Sequence, residues 1–500
     1  MDSSFVLDPE EREYFTLVNR AVLSNPFSAE RDRIDKEIAG RLPGNDRIEQ
    51  IDAAIREVSS RLKILRQKGR LDVGRYAGED RRIMERSLAF DVFYSYVDEL
   101  DKHIQDQIAR GAKPLVVTFA NDMLEDMQVG GISRAAAIRY LEYSFQFRRA
   151  YFFVYRGLIE CSVGMRRLRE RLWNNVFTSD TDIYDRHLRD RMEDFSTLIL
   201  GETGTGKGTV AAAIGQSGFI PFNDQTRCFA ESFTRSFIEL NLSQFPETLI
   251  ESELFGHRKG AFTGATYNHE GVFSRCSRYG AIFLDEIGEV SQPIQIKLLK
   301  VLEDRQFSPV GSHDVSRFEG RIIAATNRPL EDIVSRKILR DDFLYRMCSD
   351  VIIVPPLRQR IEEDPRELED LLDHTITRII GRPSEELVQR AREVIETDLK
   401  AGYRWPGNVR ELAQCIRQIM LNGTYRSIHR EAPGEAPSQS EEKKKRLDLD
   451  ARGLLQQHCH RLYREFGTYG EVARRTRLDR RTVKKYILNW EDSHKKSRTS

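Results

Sequence analysis

Apolar residues in the first third of the chain recur every three or four positions, which is the period of an amphipathic helix. The clearest run joins Ile48, Ile51, Ile55, Val58, Leu62 and Leu65, with Asn45 as a candidate N-cap. This seam is short for an independent coiled coil, so it favours one helix of a bundle over a dimerising zipper. Similar patterns predict helices around residues 9–23, 80–110 and 133–158.

Aromatic side chains are concentrated in the last of these helices: Tyr140, Tyr143, Phe145, Phe147, Tyr151, Phe152 and Phe153. Such a cluster is more often a packed core than a ligand cage, so we expect it to lie in the core. The segment lacks the alternating strands of a receiver domain and the β-rich pattern of a GAF or PAS domain. Residues 1–170 are therefore predicted to form a helical regulatory domain, whose ligand or partner the sequence does not identify.

The pattern changes after residue 172. The short apolar runs STLILG, AIFLDE and GRIIAATN alternate with helical stretches such as PIQIKLLKVLED. That alternation predicts an α/β fold with a mostly parallel sheet. Residues 431–446 combine Pro, Gly, Ser and a charge run, as a linker does, and residues 447–500 return to helical patterning.

Composition bounds the class of protein. The 500 residues are 40% hydrophobic and 31% charged, which is typical of a soluble chain of about two to four domains. The N-terminus is acidic, no apolar run is long enough to cross a bilayer, and the six cysteines form no CxxC pair. These features predict a cytoplasmic, reduced protein without a membrane partner, a zinc site or a disulfide framework.

Charge is balanced overall but not locally. The 79 basic and 78 acidic residues give a net charge of +1. Residues 451–500, in contrast, hold 13 Lys and Arg against 5 Asp and Glu. Any affinity for nucleic acid is therefore expected at this end of the chain.

A glycine-rich loop stands between an apolar run and a helical run. It consists of Gly201, Glu202, Thr203, Gly204, Thr205, Gly206 and Lys207. Glycines let backbone N–H groups turn toward a phosphate chain, and the lysine reaches the terminal phosphates. The usual Ser or Thr after the lysine is replaced by Gly208, and Thr209 comes one place later, so Mg²⁺ would rely more on a second, acidic motif.

That acidic motif ends the apolar run 281–284. Asp285 is the predicted metal-side carboxylate, and Glu286 is predicted to orient the attacking water. The next apolar run ends at Asn327, which is predicted to contact the γ-phosphate or its water. Arg340 and Arg346 follow, either as cations that reach a neighbouring subunit's phosphate or as surface arginines that pair with nearby aspartates.

A series of motifs in one order now identifies a family. ESELFGHRKGAFTGA is followed by GAIFLDEIGEV, ATNRPL, LRDDFLYRM and RWPGNVREL. This series resembles the bacterial enhancer-binding proteins, the AAA+ ATPases that activate sigma-54 RNA polymerase, over residues 172–425. The resemblance implies an AAA+ α/β subdomain at 172–355, a helical lid at 356–430, ATP and Mg²⁺ as cofactors, and a homo-oligomer between dimer and hexamer.

The resemblance also implies roles for single residues. Lys207 would bind phosphates, Asp285 and Glu286 would form the Walker B pair, and Asn241 would be the switch asparagine that restrains Glu286. Asn327 would be sensor I, Arg340 and Arg346 arginine fingers, and Arg410 sensor II. The loop of Gly260, Ala261, Phe262, Thr263, Gly264 and Ala265 would contact sigma-54. Two features depart from the family: Gly208 stands where Glu is usual, and the stretch 214–240 is longer than usual.

The basic C-terminal segment has the pattern of a helix-turn-helix. Helical runs at 451–466 and 468–475 are followed by a third that Asp479 caps. Its predicted DNA contacts are Arg480, Arg481, Thr482, Lys484 and Lys485. The segment resembles the Fis-type domains of the same family, which pair on palindromic double-stranded sites upstream of promoters.

The predicted function is thus sigma-54-dependent activation of transcription, by an ATP-hydrolysing ring that remodels the closed promoter complex. Two alternatives remain from the sequence. One is a DNA-tethered AAA+ remodeller of a different target, against which the intact GAFTGA segment argues. The other is a repressor with a vestigial ATPase fold, although only Gly208 is atypical among the nucleotide motifs.

Overall fold

The computed structural model describes residues 4–40, 47–159, 162–400, 402–427, 451–476 and 478–496. The chain divides into two compact units, Met1–Arg426 and Ser427–Ser500. Asn45, the predicted N-cap, and the predicted linker 431–446 lie outside the described residues. No helix in the described part of the chain is long and apolar enough to cross a membrane.

Eight helices build the first third of the chain. They are α1 Pro9–Leu23, α2 Ala29–Ala39, α3 Arg47–Gln67, α4 Gly78–Ser95, α5 Val97–Arg110, α6 Ala120–Val129, α7 Arg134–Gly157 and α8 Val163–Phe177. The helices predicted around 9–23, 80–110 and 133–158 are confirmed, the second of them as two helices. In α3, Val58, Leu62 and Leu65 are buried against α2 and α4, which confirms a helix of a bundle.

A five-stranded parallel sheet forms the centre of the first unit. The strands are β1 Thr197–Leu200, β4 Phe237–Asn241, β5 Ala281–Asp285, β8 Arg321–Thr326 and β9 Asp350–Ile353, in the order β4-β5-β8-β1-β9. Two short antiparallel pairs add β2 Phe222–Asn223 with β3 Cys228–Phe229, and β6 Gln306–Phe307 with β7 Ser316–Arg317. The predicted α/β fold with a parallel sheet is confirmed, and the carboxyl ends of its strands meet at one edge.

Helices cover the sheet and continue beyond it. Those around the sheet are α9 Thr181–Ile183, α10 Lys207–Gly215, α11 Glu247–Phe255, α12 Val272–Arg275, α13 Gln292–Asp304, α14 Leu330–Ser335 and α15 Asp341–Met347. Four more follow β9: α16 Leu357–Glu363, α17 Arg366–Ile380, α18 Glu385–Asp398 and α19 Asn408–Asn422. The last four pack on one another around a core of their own, and Trp405 and Leu412 are buried in it.

The N-terminal helices share a hydrophobic core with the sheet. Ala150 and Val154 of α7 lie in one buried cluster with Val210 and Ile214 of α10. Helix α8 belongs to the same cluster and runs through position 170, where the predicted regulatory segment ends. The two parts of the chain are therefore packed together through buried apolar side chains.

The stretch 214–240, which the family resemblance marks as longer than usual, holds the β2–β3 hairpin. Phe229 of this hairpin stacks on Phe145 of α7, with ring centroids 3.9 Å apart. The backbone N–H of Phe222 donates to Glu142 (2.9 Å), and Arg134 pairs with Asp224 (2.7 Å). The insertion is thus a docking element for the N-terminal helices.

The second unit contains α20 Ala451–Phe466, α21 Tyr469–Thr476 and α22 Arg480–Lys496. Cys459, Val472, Val483 and Ile487 form its buried core. The Asp479 carboxylate accepts from the backbone N–H of Arg481 (2.7 Å), as the predicted cap requires. The three predicted helices are present, and their assignment to a helix-turn-helix stays a prediction.

Candidate functional site

The glycine-rich loop connects the buried strand β1 to the N-terminus of α10. Gly204 and Gly206 adopt positive φ angles of 82° and 103°, a region that favours glycine. The Lys207 ammonium folds back on the loop and donates to the carbonyl oxygens of Gly201 (2.9 Å) and Glu202 (3.3 Å). Strand, loop and helix therefore have the form of a phosphate-binding loop.

Two carboxylates lie at the carboxyl end of β5, close to this lysine. Burial raises the pKa of Glu286, and the charge of Lys207 partly offsets that effect. Burial lowers the pKa of Lys207, while Glu286 and Asp285 act in the opposite direction. Glu286 also adopts a left-handed backbone conformation (φ 57°), which is unusual for a residue with a side chain. The structure thus brings the predicted phosphate ligand and both predicted acids into one charged cluster.

Two asparagines at the ends of β4 and β8, the strands on either side of β5, complete the cluster. Asn327 donates through its backbone N–H to Glu286 (3.3 Å) and through its side chain to the Thr203 hydroxyl (3.3 Å), so it joins the acid to the loop. Asn241 donates to Asp285 (3.3 Å) and not to Glu286, the partner that the family resemblance implies. The reason is the register, because Asn241 and Asp285 are paired residues of β4 and β5.

The two residues after Lys207 do not provide the usual hydroxyl for Mg²⁺, so Asp285 is the expected metal ligand. Gly208 has an ordinary backbone conformation, and a Cβ there would lie 3.9 Å from its nearest neighbours, so the fold does not require glycine at this position. The Thr209 methyl group faces Gly157 of α7, since a Cβ on Gly157 would lie 3.5 Å from it. A carboxylate beside a lysine and backbone amides is a donor set that suits Mg²⁺ and a phosphate chain.

The helices after β9 close over the loop through two residues that sequence reasoning missed. Arg358 makes a bidentate ion pair with Glu202 (2.5 and 2.8 Å). The buried Asn408 side chain donates to Glu202 (3.2 Å) and to the Thr203 carbonyl (3.1 Å), and accepts from the backbone N–H of Leu357 (2.7 Å). Arg358 lies in the segment PPLR and Asn408 in GNVREL, and these short motifs are the sequence signal by which the two residues could have been found.

Arg410, the predicted sensor II, has its Cβ directly above the same loop. A Cβ added to Gly204 would lie 3.0 Å from the Arg410 Cβ and only 2.2 Å from the Gly407 carbonyl oxygen. Arg410 also contributes to lowering the pKa of Lys207. Glycine at position 204 is therefore what lets α19 approach the phosphate loop.

The two predicted arginine fingers lie apart from this cluster. Arg340 is half-buried and pairs with Asp342 (2.7 Å), as the surface-arginine alternative predicts. Arg346 is exposed and has no ion-pair partner among the described residues. Nothing in the described part of the chain joins either guanidinium to Lys207, Asp285 or Glu286, so any role at a phosphate would be at that of another subunit.

The GAFTGA segment forms a closed loop between α11 and α12. Gly260 donates to the Ala265 carbonyl (2.8 Å), and Ala265 donates to the Phe262 carbonyl (3.0 Å). Thr263 and Gly264 are exposed at its tip, and Phe262 is 37% exposed with its ring edge on His257. The loop presents an aromatic and a hydroxyl group to solvent from a hydrogen-bonded base.

A second loop, between β6 and β7, supports it and was missed from the sequence. Arg258 donates through its backbone N–H to the Val310 carbonyl (3.0 Å) and pairs through its side chain with Asp314 (2.9 Å). A Cβ on Gly311 (φ 76°) would lie 2.7 Å from the Ala261 Cβ. The two loops are therefore packed as one projection.

Comparison with known proteins shows which family this core resembles. The family model for the sigma-54 interaction domain matches residues 181–352. This segment is similar to the sigma-54 interaction domain. It contains the phosphate loop, both acids and the GAFTGA projection, and α16–α19 follow it in the chain.

Curated relatives are similar over the same region. The Nif-specific regulatory protein of Azotobacter vinelandii is 40% identical over 253 residues, which are 50% of this chain and 44% of that protein. Nitrogen fixation protein VnfA, also from Azotobacter vinelandii, is 35% identical over 307 residues, or 59% and 55%. The chain therefore spans about half the length of these relatives. A crystal structure of NtrX from Brucella abortus aligns with 74% of this chain and 80% of its own, at 19% identity and a TM-score of 0.39.

The second unit presents its own basic face. Arg480, Arg481, Lys484 and Lys485 are exposed at the start of α22, and Thr482 is half-buried. Glu471 forms its ion pairs with Arg474 (2.6 Å) and Arg475 (3.0 Å), and not with these basic residues of α22. The predicted DNA contacts are thus brought together on one helix and remain available.

Proposed function

We propose that this chain is a sigma-54-dependent transcriptional activator. It hydrolyses ATP in a homo-oligomeric ring, up to a hexamer, and uses the energy to remodel the closed complex of sigma-54 RNA polymerase. Residues 1–170 would regulate it, residues 172–355 and 356–430 would form the ATPase and its lid, and residues 447–500 would bind upstream double-stranded DNA. The observation that carries the proposal is the exposed GAFTGA projection on a domain whose phosphate loop and acids are intact.

The chemistry follows from the charged cluster. Lys207 and the loop amides would hold the phosphate chain of ATP, and Asp285 would hold Mg²⁺, which supplies charge neutralisation when bound. Glu286, held by the Asn327 N–H, would orient the attacking water. Arg346, and Arg340 once released from Asp342, would stabilise the developing charge in a neighbouring subunit.

Mechanical coupling would run from β5 to the projection. Asn241 contacts Asp285 and stands directly before the short helical turn that leads to α11. A change at the γ-phosphate would alter this contact and so shift α11 and the loop that follows it. Phe262 and Thr263 would then move against sigma-54.

The experiment compares Thr263→Ala with Thr226→Ala, a matched exposed threonine in the β2–β3 turn. ATP hydrolysis and open-complex formation are measured with sigma-54 holoenzyme. We expect Thr263→Ala to hydrolyse ATP and fail to open the promoter, while Thr226→Ala does both. If Thr263→Ala opens the promoter normally, the projection is not the sigma-54 contact and a different target is favoured.

Lys207→Ala separates the repressor alternative. We expect it to lose both hydrolysis and transcriptional regulation. A Lys207→Ala protein that still regulates its promoter would favour a DNA-binding repressor with an unused ATPase fold.

A further inference from the structure

The N-terminal helices line a half-open cavity of about 460 Å³. That volume lies within the range of small-molecule sites, roughly 300–1,000 Å³. Its walls come from α1 to α4, from α7 and α8, and from residues 181–186, which begin the sigma-54 interaction domain. The cavity is therefore bounded by both the regulatory helices and the ATPase core.

The walls are aromatic. Helix α4 contributes Phe90, Phe93 and Tyr94, whose rings contact one another at centroid distances of 4.7 and 5.0 Å. Helix α7 contributes four aromatic residues: Tyr140, Tyr143, Phe147 and Tyr151. The expectation that the α7 aromatic cluster lies in the core holds for Phe145 and Tyr143, which are buried in core clusters, and Tyr140, Phe147 and Tyr151 are partly buried against such clusters. Tyr143 and these three residues also line the cavity. Flat walls of this kind suit a planar aromatic body.

The polar groups around the cavity favour an anion. Seven arginines line it against four acidic residues. Most of these arginines are engaged in ion pairs: Arg31 with Asp35, Arg47 with Asp32, Arg148 with Asp101, and both Arg86 and Arg186 with Asp182. Arg82 and Arg139 are exposed and have no ion-pair partner among the described residues. The Tyr140 hydroxyl likewise has no hydrogen-bond partner in the described part of the chain.

Helix α7 joins the cavity to the nucleotide loop. One stripe of its side chains lines the cavity, and the adjacent stripe packs Ala150 and Val154 on α10, the helix that begins at Lys207. Gln146 donates to the Ser217 carbonyl (3.1 Å) just after α10. A shift of α7 would therefore reach the phosphate loop through a contact of buried apolar side chains and one hydrogen bond.

We propose that this cavity binds a small planar aromatic anion, namely an aromatic carboxylate, and that α7 transmits its occupancy to the phosphate-loop helix. The aromatic body would lie between α4 and α7, and the carboxylate would meet Arg82 and Arg139. The binding part stands without the proposed function. The coupling part rests on it, because it needs ATP hydrolysis as its output.

The test is calorimetric titration of the full-length protein with benzoate, 2-naphthoate and 9-anthroate. The neutral isostere 2-naphthamide serves as the ligand control. We expect at least one of the three carboxylates to bind. We expect 2-naphthamide to bind about tenfold more weakly than 2-naphthoate, because it loses one charge-assisted hydrogen bond. Absence of binding by all three carboxylates at millimolar concentration, or equal affinity for naphthoate and naphthamide, overturns the proposal.

Variants locate the site. Arg82→Gln with Arg139→Gln should weaken carboxylate binding about tenfold and leave naphthamide unchanged. Arg81→Gln, an exposed neighbour that does not line the cavity, is the matched control and should bind normally. Ala89→Phe and, separately, Ser144→Leu should fill the cavity and abolish binding at an unchanged melting temperature. Normal binding by folded forms of both filled variants would place the ligand elsewhere.

Coupling is read from ATP hydrolysis with and without the bound carboxylate. Transmission through α7 is supported if the carboxylate changes the hydrolysis rate of the wild type and leaves the hydrolysis rate of Ala89→Phe unchanged. Binding without any change in rate refutes coupling while the site stands. A protein that binds the carboxylate and never hydrolyses ATP refutes the proposed function instead.

Discussion

Gly204→Ala tests the closure of α16–α19 over the phosphate loop. The added methyl group would lie 2.2 Å from the Gly407 carbonyl oxygen and 3.0 Å from the Arg410 Cβ. Contacts to a Cβ are ordinary at about 3.4 Å or more, so the Gly407 backbone must retreat by about 1 Å. That movement would pull Asn408 from the Thr203 carbonyl, to which it donates at 3.1 Å.

The magnitude follows from two separable costs. An L-residue at positive φ costs about 1–2 kcal/mol, because its Cβ crowds the following carbonyl. The lost contact of the buried Asn408 adds about 1–3 kcal/mol. Gly381→Ala is the matched control, since Gly381 also has positive φ (79°) and a Cβ there would meet nothing within 4 Å.

The assays are urea unfolding and titration with a fluorescent ATP analogue. We expect Gly381→Ala to lower the free energy of unfolding by about 1–2 kcal/mol and leave nucleotide affinity unchanged. Gly204→Ala should lower the free energy of unfolding by more than this, and it should weaken binding of the nucleotide analogue at least about tenfold. Equal effects of the two variants in both assays would refute the contact between α19 and the loop.

Three further predictions follow from single residues. Glu286→Gln should bind ATP at least as tightly as the wild type and lose hydrolysis, measured as phosphate release, because it keeps the shape and removes the carboxylate; normal turnover would exclude Glu286 as the catalytic group. Burial lowers the pKa of His103 to about 4. The unfolded chain therefore binds a proton at this histidine at a higher pH than the folded chain does. The free energy of unfolding should consequently fall by roughly 3 kcal/mol as the pH drops from about 6.5 to 4. His103→Leu should show that much less acid destabilisation in urea titrations, and an unchanged pH profile would contradict the shift. Arg360→Leu should cost about 3–5 kcal/mol by urea unfolding, because Arg360 pairs with the fully buried Glu367; the double variant with Glu367→Leu should recover much of that loss.

The local chemistry of the site could be predicted from the sequence because it lies in short motifs. The loop 201–207, the acids after β5 and the GAFTGA segment each carry their function within a few residues. Contacts that form between distant segments could not be predicted this way. Arg358 and Asn408 meet the loop across more than 150 positions of sequence. Asn241 meets Asp285 because of a strand register that no local pattern encodes.

The N-terminal helices show the same limit in packing. Helical periodicity predicted α1, α3 and α7, but it cannot say which apolar faces meet. The seam of α3 was predicted as one stripe, whereas Ile48 is 63% exposed and Leu62 is buried. The aromatic residues of α7 do pack in or against the core, but periodicity does not show that four of them also line a cavity whose other wall is α4.

Sharing of a core has a practical consequence for experiments. Helices α7 and α8 bury apolar side chains against α10 and the sheet, so deletion of the N-terminal segment would expose that surface to water. An inactive truncation would then report lost stability as well as lost regulation. Point variants in the full chain separate the two effects.

The most direct test of the central claim is open-complex formation by purified sigma-54 holoenzyme on a promoter that carries an upstream site for this protein. The full-length chain is supplied with ATP or with a non-hydrolysable analogue, and promoter melting is read by permanganate footprinting. We predict melting with ATP and none with the analogue. Melting that is equal with both nucleotides, or absent with ATP while ATP is being hydrolysed, would contradict the account.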